Sequence, residues 1–351
     1  MRAQAALLLA LLALLGCSRP LARGARYQVA VLAEAPRREA LAPLLDSLFS
    51  QTWITPMPER RLAWRWADPV NPDAALDQRA LLVLVDGPAA GPVGRFAAEL
   101  LGPGVADRVR QGEAHLLRRP DAFAAGQVLA VLAARDPAAL RRQALARADE
   151  LRALFLEHEA AADAAALRAG GLQRQLEDSL ALACGFRLPL PADWFVVQGG
   201  LDPPFIRLRR LAPDRWISVL WTEGADSLRM SPDSLWALRG RLAARYWERE
   251  SQRVGPRRLS PARLGGHRAL LLEGTWSAQG GRAAGPFLFW AVHVPGAGGL
   301  PQGRTFYIDA EVLDPGSPQS PWLHQLSALV SGFTGTDAEG RRIGPLQAGD
   351  Q

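Results

Sequence analysis

Lysine is missing from the 351 residues: all 41 basic side chains are arginine, set against 35 Asp and Glu for a formal charge of +6. A Walker-type phosphate loop, which places a Lys on the phosphates, is therefore excluded. Cysteine is almost as scarce, with only Cys17 and Cys184, so a disulfide framework and a thiolate metal site are excluded too. The five histidines stand singly at His115, His158, His267, His293 and His324. His158-Glu159 opens a His-Glu-x-x-His pattern, but its fifth position is Ala162, which leaves the second ligand out. A Gly-x-Ser-x-Gly elbow is absent, and Asp86 to Gly94 lacks Gly-x-Gly-x-x-Gly spacing and carries prolines where backbone amides should face a pyrophosphate. The arginine pairs Arg37-Arg38, Arg118-Arg119, Arg209-Arg210 and Arg257-Arg258 lie far apart and are interleaved with acids. No row of phosphates is matched by such spacing, so nucleic acid is not an expected partner. Neither a cofactor nor a metal is expected.

What is present is apolar material for two ordinary domains, 48% hydrophobic against 22% charged, which excludes disorder, collagen and a small stapled scaffold. The N-terminus carries the strongest pattern. Met1-Arg2 is a short positive region, Ala5 to Leu15 is an apolar run, and Leu14-Leu15-Gly16-Cys17 closes it. At 1.5 Å rise such a run covers roughly 17 Å, about half the hydrocarbon core, so it is a removable secretory signal rather than a spanning helix. Leu-Leu-Gly-Cys resembles the lipobox of bacterial lipoproteins. That resemblance implies cleavage before Cys17, lipidation of Cys17 by diacylglyceryl and a further acyl chain such as palmitate, and a stable membrane anchor. The expected location is the cell envelope, lipid-anchored and facing the periplasm, with the outer membrane the expected host.

Past the anchor the expected division is signal peptide 1–16, lipidated tether 17–26, α/β layer domain 27–135, helical bridge 136–185, α+β domain 186–335 and flexible tail 336–351. Tyr27 to Leu32 reads as a strand, residues 36–50 as a helix striped by Leu41, Leu44, Leu45 and Leu48, and Leu81 to Val85 as a central strand apolar on both faces. Alternating strands and helices argue for an α/β layer. Asp136-Pro137 opens a long helix with an N-cap and a first-position proline. In the second half, where eight of 11 Trp fall after residue 190, the segments read as paired strands. These are the hairpin 205–211/216–221 around Ala212-Pro213-Asp214-Arg215, a helix from Ser231-Pro232, three strands at 269–277, 287–294 and 305–312, and a closing helix at 322–333. An antiparallel sheet packed with helices is the inference. The fold class is thus α/β followed by α+β. Cys184, at the end of a helical run, is read as a small buried hydrophobe.

Cys184-Gly185-Phe186, Pro189-Leu190-Pro191, Trp194, Ile206 to Arg210, Gly274-Thr275-Trp276 within Leu270 to Trp276, and Gly285-Pro286-Phe287 together resemble a Bacteroidota-type family of envelope lipoproteins that carries a domain-of-unknown-function label. The resemblance spans nearly the whole mature chain; its most specific piece is Gly-x-Trp with the following Gly-Pro-Phe. It implies location and architecture and brings no catalytic residues. The lack of Lys and Gly-rich insertions near Gly296 to Gly303 depart from that family. In element order the second half is similar to Mog1/PsbP-type domains, which bind or assist.

Three functions stay open. The first is a non-catalytic, membrane-anchored binding or accessory protein with other envelope proteins as partners and Trp276, Phe287 and Trp290 as binding aromatics. The second is a hydrolase of an envelope polymer acting through Glu273, Asp309 and Glu311, against which these read as solvated strand-face charges. The third is a carrier whose apolar cavity is lined by Trp276, Phe287, Phe289 and Trp290.

Overall fold

The computed structural model describes residues 19–87, 91–224, 230–247, 250–252, 255–278, 283–296, 303–337 and 339–342. Cys17, the signal segment, most of the 296–303 insertion and residues 343–351 lie outside the described residues. The class is α/β and α+β, as the pattern of elements implies, carried by two compact units.

The first unit comprises residues up to Gln51 and Leu62–Glu159. It starts with β1 (Gln28–Leu32) and α1 (Arg38–Leu48). The chain then leaves it for a short hairpin, β2 (Thr52–Trp53) and β3 (Glu59–Arg60), that belongs to the second unit. It returns with β4 (Ala63–Trp66), β5 (Ala80–Asp86), α2 (Pro92–Leu101), α3 (Pro103–Arg110), β6 (His115–Pro120), β7 (Val128–Ala134), α4 (Pro137–Ala146) and the first half of α5 (Ala148–Ala169). The strands form one sheet in the order β4-β1-β5-β7-β6, parallel except for β6 at the edge. Nearly every residue of β5 and β7 is buried, because a parallel sheet is covered on both faces and its central strands must be apolar on both sides. One face packs Leu41, Leu44, Leu45 and Leu48 of α1 with Leu140, Ala144, Leu151 and Phe155. The other face packs Val93, Ala97 and Leu101 of α2 with Val109 of α3. Asp136 caps α4 as its sequence implies, accepting from the Ala139 N–H at 2.7 Å ahead of Pro137.

The second unit comprises Thr52–Arg61 and the residues from Ala160 on. It holds α6 (Arg174–Cys184), β8 (Phe186–Arg187), β9 (Phe195–Leu201), β10 (Pro204–Arg210), β11 (Asp214–Glu223), α7 (Pro232–Tyr246), β12 (Glu250–Gln252), β13 (Arg258–Leu264), β14 (His267–Ala278), β15 (Ala284–Val294), β16 (Arg304–Leu313), α8 (Ser320–Ser331) and β17 (Thr334–Gly335). Eight of these strands make one antiparallel sheet in the order β12-β14-β15-β16-β11-β10-β9, with β13 also on β14. Strand alternation sends Phe287, Phe289, Tyr307, Leu272 and Trp276 to a face covered by Leu235 and Ala243 of α7 and by Trp247 just after it. It sends Leu288, Trp290, Phe306, Ile308, Ile217 and Val219 to the opposite face, under Leu323, Leu326 and Leu329 of α8 and Leu180 and Cys184 of α6. Ser231 accepts from the Ser234 N–H at 3.1 Å and starts α7 ahead of Pro232. Cys184 is buried, and desolvation raises its thiol pKa.

Three boundaries differ from the sequence expectation. The stretch 136–185 is no separate bridge: α4 and the start of α5 share the first core, whereas α6 belongs to the second. The stretch 19–26 is held along the first unit, by bridges of Leu21 to Ala125 and Arg23 to Gln78 and by an Arg26–Glu159 ion pair. Thr336, expected in a flexible tail, is fixed by its N–H on the Gly185 carbonyl at 2.8 Å and its hydroxyl on that of Ala181 at 2.9 Å. In each case the partners that decide the boundary lie far along the chain.

Candidate functional site

In the first unit the strand order reverses between β1 and β5, the place where open α/β sheets bind ligands outside the carboxyl ends of their strands. Here that position is filled from within. Glu34 Oε1 accepts from the Gly94 N–H at 2.9 Å in the first turn of α2, and Arg37 Nε lies 2.9 Å from Asp86 Oδ2 at the end of β5. Burial raises the Asp86 carboxyl above its ordinary range in spite of Arg37. The backbone donors that would hold an anion thus hold the chain's own carboxylate. His158 Nε2 donates to the Gly126 carbonyl at 3.1 Å, so this orphan of a zinc pattern serves a helix-to-loop contact.

The expected carboxylates do not form one acidic face. Asp309 and Glu311 share the α7 side of β16, and both are 1% exposed rather than solvated. Arg239 enters from α7, fully buried, with Nε 2.7 Å from Asp309 Oδ2 and Nη2 2.5 Å from Glu311 Oε1. Its guanidinium lies 3.7 Å from the Phe287 ring centroid, and Arg207 Nη2 reaches Glu311 Oε2 at 3.4 Å. Desolvation pushes the Asp309 carboxyl up to about 7, against the pull of Arg239 and with Glu311 adding to the rise. Glu273 lies on the opposite face, also buried, where Arg61 Nη2 meets both its oxygens at 2.5 and 2.6 Å and Arg258 adds a longer contact of 3.6 Å. Reading these three as solvated charges from strand alternation alone is therefore corrected: each faces a helix or hairpin that supplies an arginine.

The expected binding aromatics are core residues. Trp276 and Phe287 lie on the α7 side and Trp290 on the α8 side, all buried, so the three share no surface and Trp290 cannot line one cavity with Trp276, Phe287 and Phe289. What their motif specifies is packing. Across β14 and β15, Gly274 pairs with Phe287 and Trp276 with Gly285. A Cβ on Gly274 would stand 2.6 Å from the Phe287 ring, and one on Gly285 would stand 3.1 Å from Trp276 Nε1 and closer still to the Val312 carbonyl. Each glycine makes room for the aromatic opposite it.

An open cavity of about 340 Å³ does exist in the second unit. Its walls include Asp163 and Leu167 of α5, Asp193, Arg210 of β10 and Gln325 of α8. A narrow slot beside it shares Arg210 and Gln325 and adds Trp194 and Arg215. The Gln173 amide fixes this corner by donating to the carbonyls of Pro191 and Trp194 at 2.8 and 2.7 Å. Arg210 pairs with Asp193 at 2.5 Å. Arg215, 2% exposed, donates to Gln325 Oε1 at 2.7 Å and lies 4.6 Å from the Trp322 ring. Burial and the neighbouring Arg210 lower the Arg215 pKa to about 10. Sequence reading missed this corner because it assigned Arg215 to a turn. The structure extends β11 back to Asp214, and the hairpin register then sets Arg215 against Arg210.

No protein-family model matches the chain, and no curated protein matches its sequence. Among solved structures the chain is similar to LpqN, a protein involved in cell envelope biogenesis of Mycobacterium tuberculosis. The identity is 19% and the TM-score 0.30, over 43% of this chain and 83% of that one. At such a score the likeness carries no argument about fold or function.

Proposed function

We propose that the chain is a lipid-anchored binding or accessory protein of the bacterial cell envelope, facing the periplasm. The observation that favours binding over hydrolysis is the enclosure of Glu273, Asp309 and Glu311, each engaged by arginines away from solvent. Acid–base catalysis needs a carboxyl within reach of a substrate proton, and these three face the interior. An open cavity and an exposed edge strand support binding. Phe195, Val196, Val197 and Leu201 of β9 are exposed, and an uncharged apolar edge is a ready surface for a partner. Anchoring and envelope location rest on the Leu14-Leu15-Gly16-Cys17 pattern, and membership of the lipoprotein family and the Mog1/PsbP likeness of the second unit rest on residue pattern and element order. Growth with an alkyne-tagged palmitate tests the anchor: the wild-type chain takes up label and sediments with membranes, and Cys17→Ala loses both. Equal labelling and sedimentation of Cys17→Ala would refute it.

A further inference from the structure

The polypeptide has almost no slack between Cys17 and the first unit. The Pro20 carbonyl accepts from the Ala125 N–H at 2.9 Å, and the Ala22 N–H donates to the Ala125 carbonyl at 2.9 Å. The Arg23 N–H donates to the Asp77 carbonyl at 2.6 Å, and the Arg23 carbonyl accepts from the Arg79 N–H at 2.7 Å. Residues 20–23 therefore run across the amino ends of β5 and β7, which begin at Ala80 and Val128. Only Ser18 and Arg19 separate Pro20 from Cys17, and three steps of extended chain reach at most about 11 Å. Between its two bonded neighbours Leu21 is 78% exposed, a large apolar side chain that the fold holds outward in a fixed place. Next to Pro20 an open depression of about 390 Å³ is walled by Ala74, Leu76 and Phe123, with Asp73 and with Asp77, whose carboxylate lies 3.7 Å from Arg23. The opposite pole of the sheet, where β5 and β7 end at Asp86 and Ala134, is roughly 20 Å away along the strands.

We propose that the amino-end pole of the first unit is a membrane-docking surface, laid on the bilayer by the two-residue link to Cys17 with Leu21 entering the headgroup layer. The inference rests on the reading of Cys17 as a lipid anchor and adds to it the orientation of the unit. A lipidated Cys17 sits at the edge of the hydrocarbon, and the headgroup layer of one leaflet is roughly 5–8 Å thick. Pro20 and Leu21 then lie in or against that layer, and the link is too short to seat another protein between this pole and the lipid. An apolar side chain in that position gains by leaving water, which gives the exposure of Leu21 a purpose. The carboxyl ends of β5 and β7 point away from the bilayer.

Photocrosslinking tests this in the full chain produced in cells, with p-benzoylphenylalanine in place of Leu21, Ala74 or Gln111, all three exposed. Gln111 serves as the far position, because it lies just ahead of β6, whose His115 pairs with Ala133 at the carboxyl end of β7. After irradiation of isolated membranes, phospholipid adducts read by mass spectrometry should be several-fold more abundant at Leu21 and Ala74 than at Gln111. A Gly-Ser spacer between Ser18 and Arg19, about 20 residues long with a span of roughly 25 Å, should leave palmitate uptake and sedimentation intact and bring the Leu21 adducts down to the Gln111 level. A chain that takes up palmitate and sediments but gives equal adducts at the three positions, or keeps its Leu21 adducts with the spacer, would overturn the orientation and leave the anchor standing. Loss of palmitate and of sedimentation in the wild-type chain would remove the anchor and the orientation together.

Discussion

Replacing Arg239 by leucine removes the guanidinium between Asp309 and Glu311 and leaves both enclosed, with Arg207 at 3.4 Å from Glu311. Breaking a buried pair by removing one partner costs about 3–5 kcal/mol, because the charge left behind keeps its desolvation penalty. Leucine retains an apolar contact with Phe287, so little of the loss comes from packing. At about 2–4 °C per kcal/mol for a unit of this size, the melting temperature of the second unit should fall by roughly 6–20 °C. Urea titration followed by near-UV dichroism reads the change directly, since Trp247 lies beside Arg239. Replacing Arg239, Asp309 and Glu311 together by leucine should restore most of the loss, as buried ion clusters often exchange for apolar packing without penalty. A loss under about 1 kcal/mol for Arg239→Leu is the signature of a hydrated pair. That result would refute the enclosure of the cluster and reopen acid–base chemistry on β16.

Asp309 adds a pH dependence whose sign follows from its raised pKa: the folded carboxyl takes up its proton near pH 7 and the unfolded one near 3.8. Its contribution to stability is full below the lower value and is lost as pH rises through the upper one. The urea midpoint should therefore be higher at pH 5.5 than at pH 8, and Asp309→Asn should flatten that difference; an unchanged slope would show that Asp309 is ionised throughout. At the hairpin, Glu59 accepts from the N–H groups of Gln319 and Ser320 at 2.8 and 2.7 Å, capping α8. Glu59→Gln should cost about 1 kcal/mol. Arg61→Met, which strands Glu273, should cost about 3 kcal/mol; equal and negligible losses in calorimetry would mean that residues 52–61 do not fold with the second unit.

Elements whose signals are local were legible in the chain. Asp136-Pro137 and Ser231-Pro232 start helices because a side-chain oxygen and a fixed φ act within one turn, and β5 is apolar on both faces because both are covered. The Gly274-x-Trp276 and Gly285-Pro286-Phe287 segments were recognisable as a motif, yet their reason was not. Each glycine opposes the other segment's aromatic, which only the β14–β15 register shows. The carboxylates were misread for a related cause. Alternation tells which side of a strand a residue takes, and it placed Asp309 with Glu311 correctly. It does not tell what covers that side, and Arg239 comes from 70 residues away. The hairpin at 52–61 was invisible in the same way: between β1 and β4 nothing local says that Trp53 donates to His324 or that Arg61 meets Glu273.

The absence of lysine acquires a structural meaning from these contacts. Arg239 engages two carboxylates through different nitrogens and lies flat on Phe287, and Arg61 grips both oxygens of Glu273 while stacking 4.0 Å from the centre of Trp53. An ammonium is a point charge without a flat face and could meet only part of each arrangement. Such arginines are internal connectors that tie a strand to the helix or hairpin packed against it.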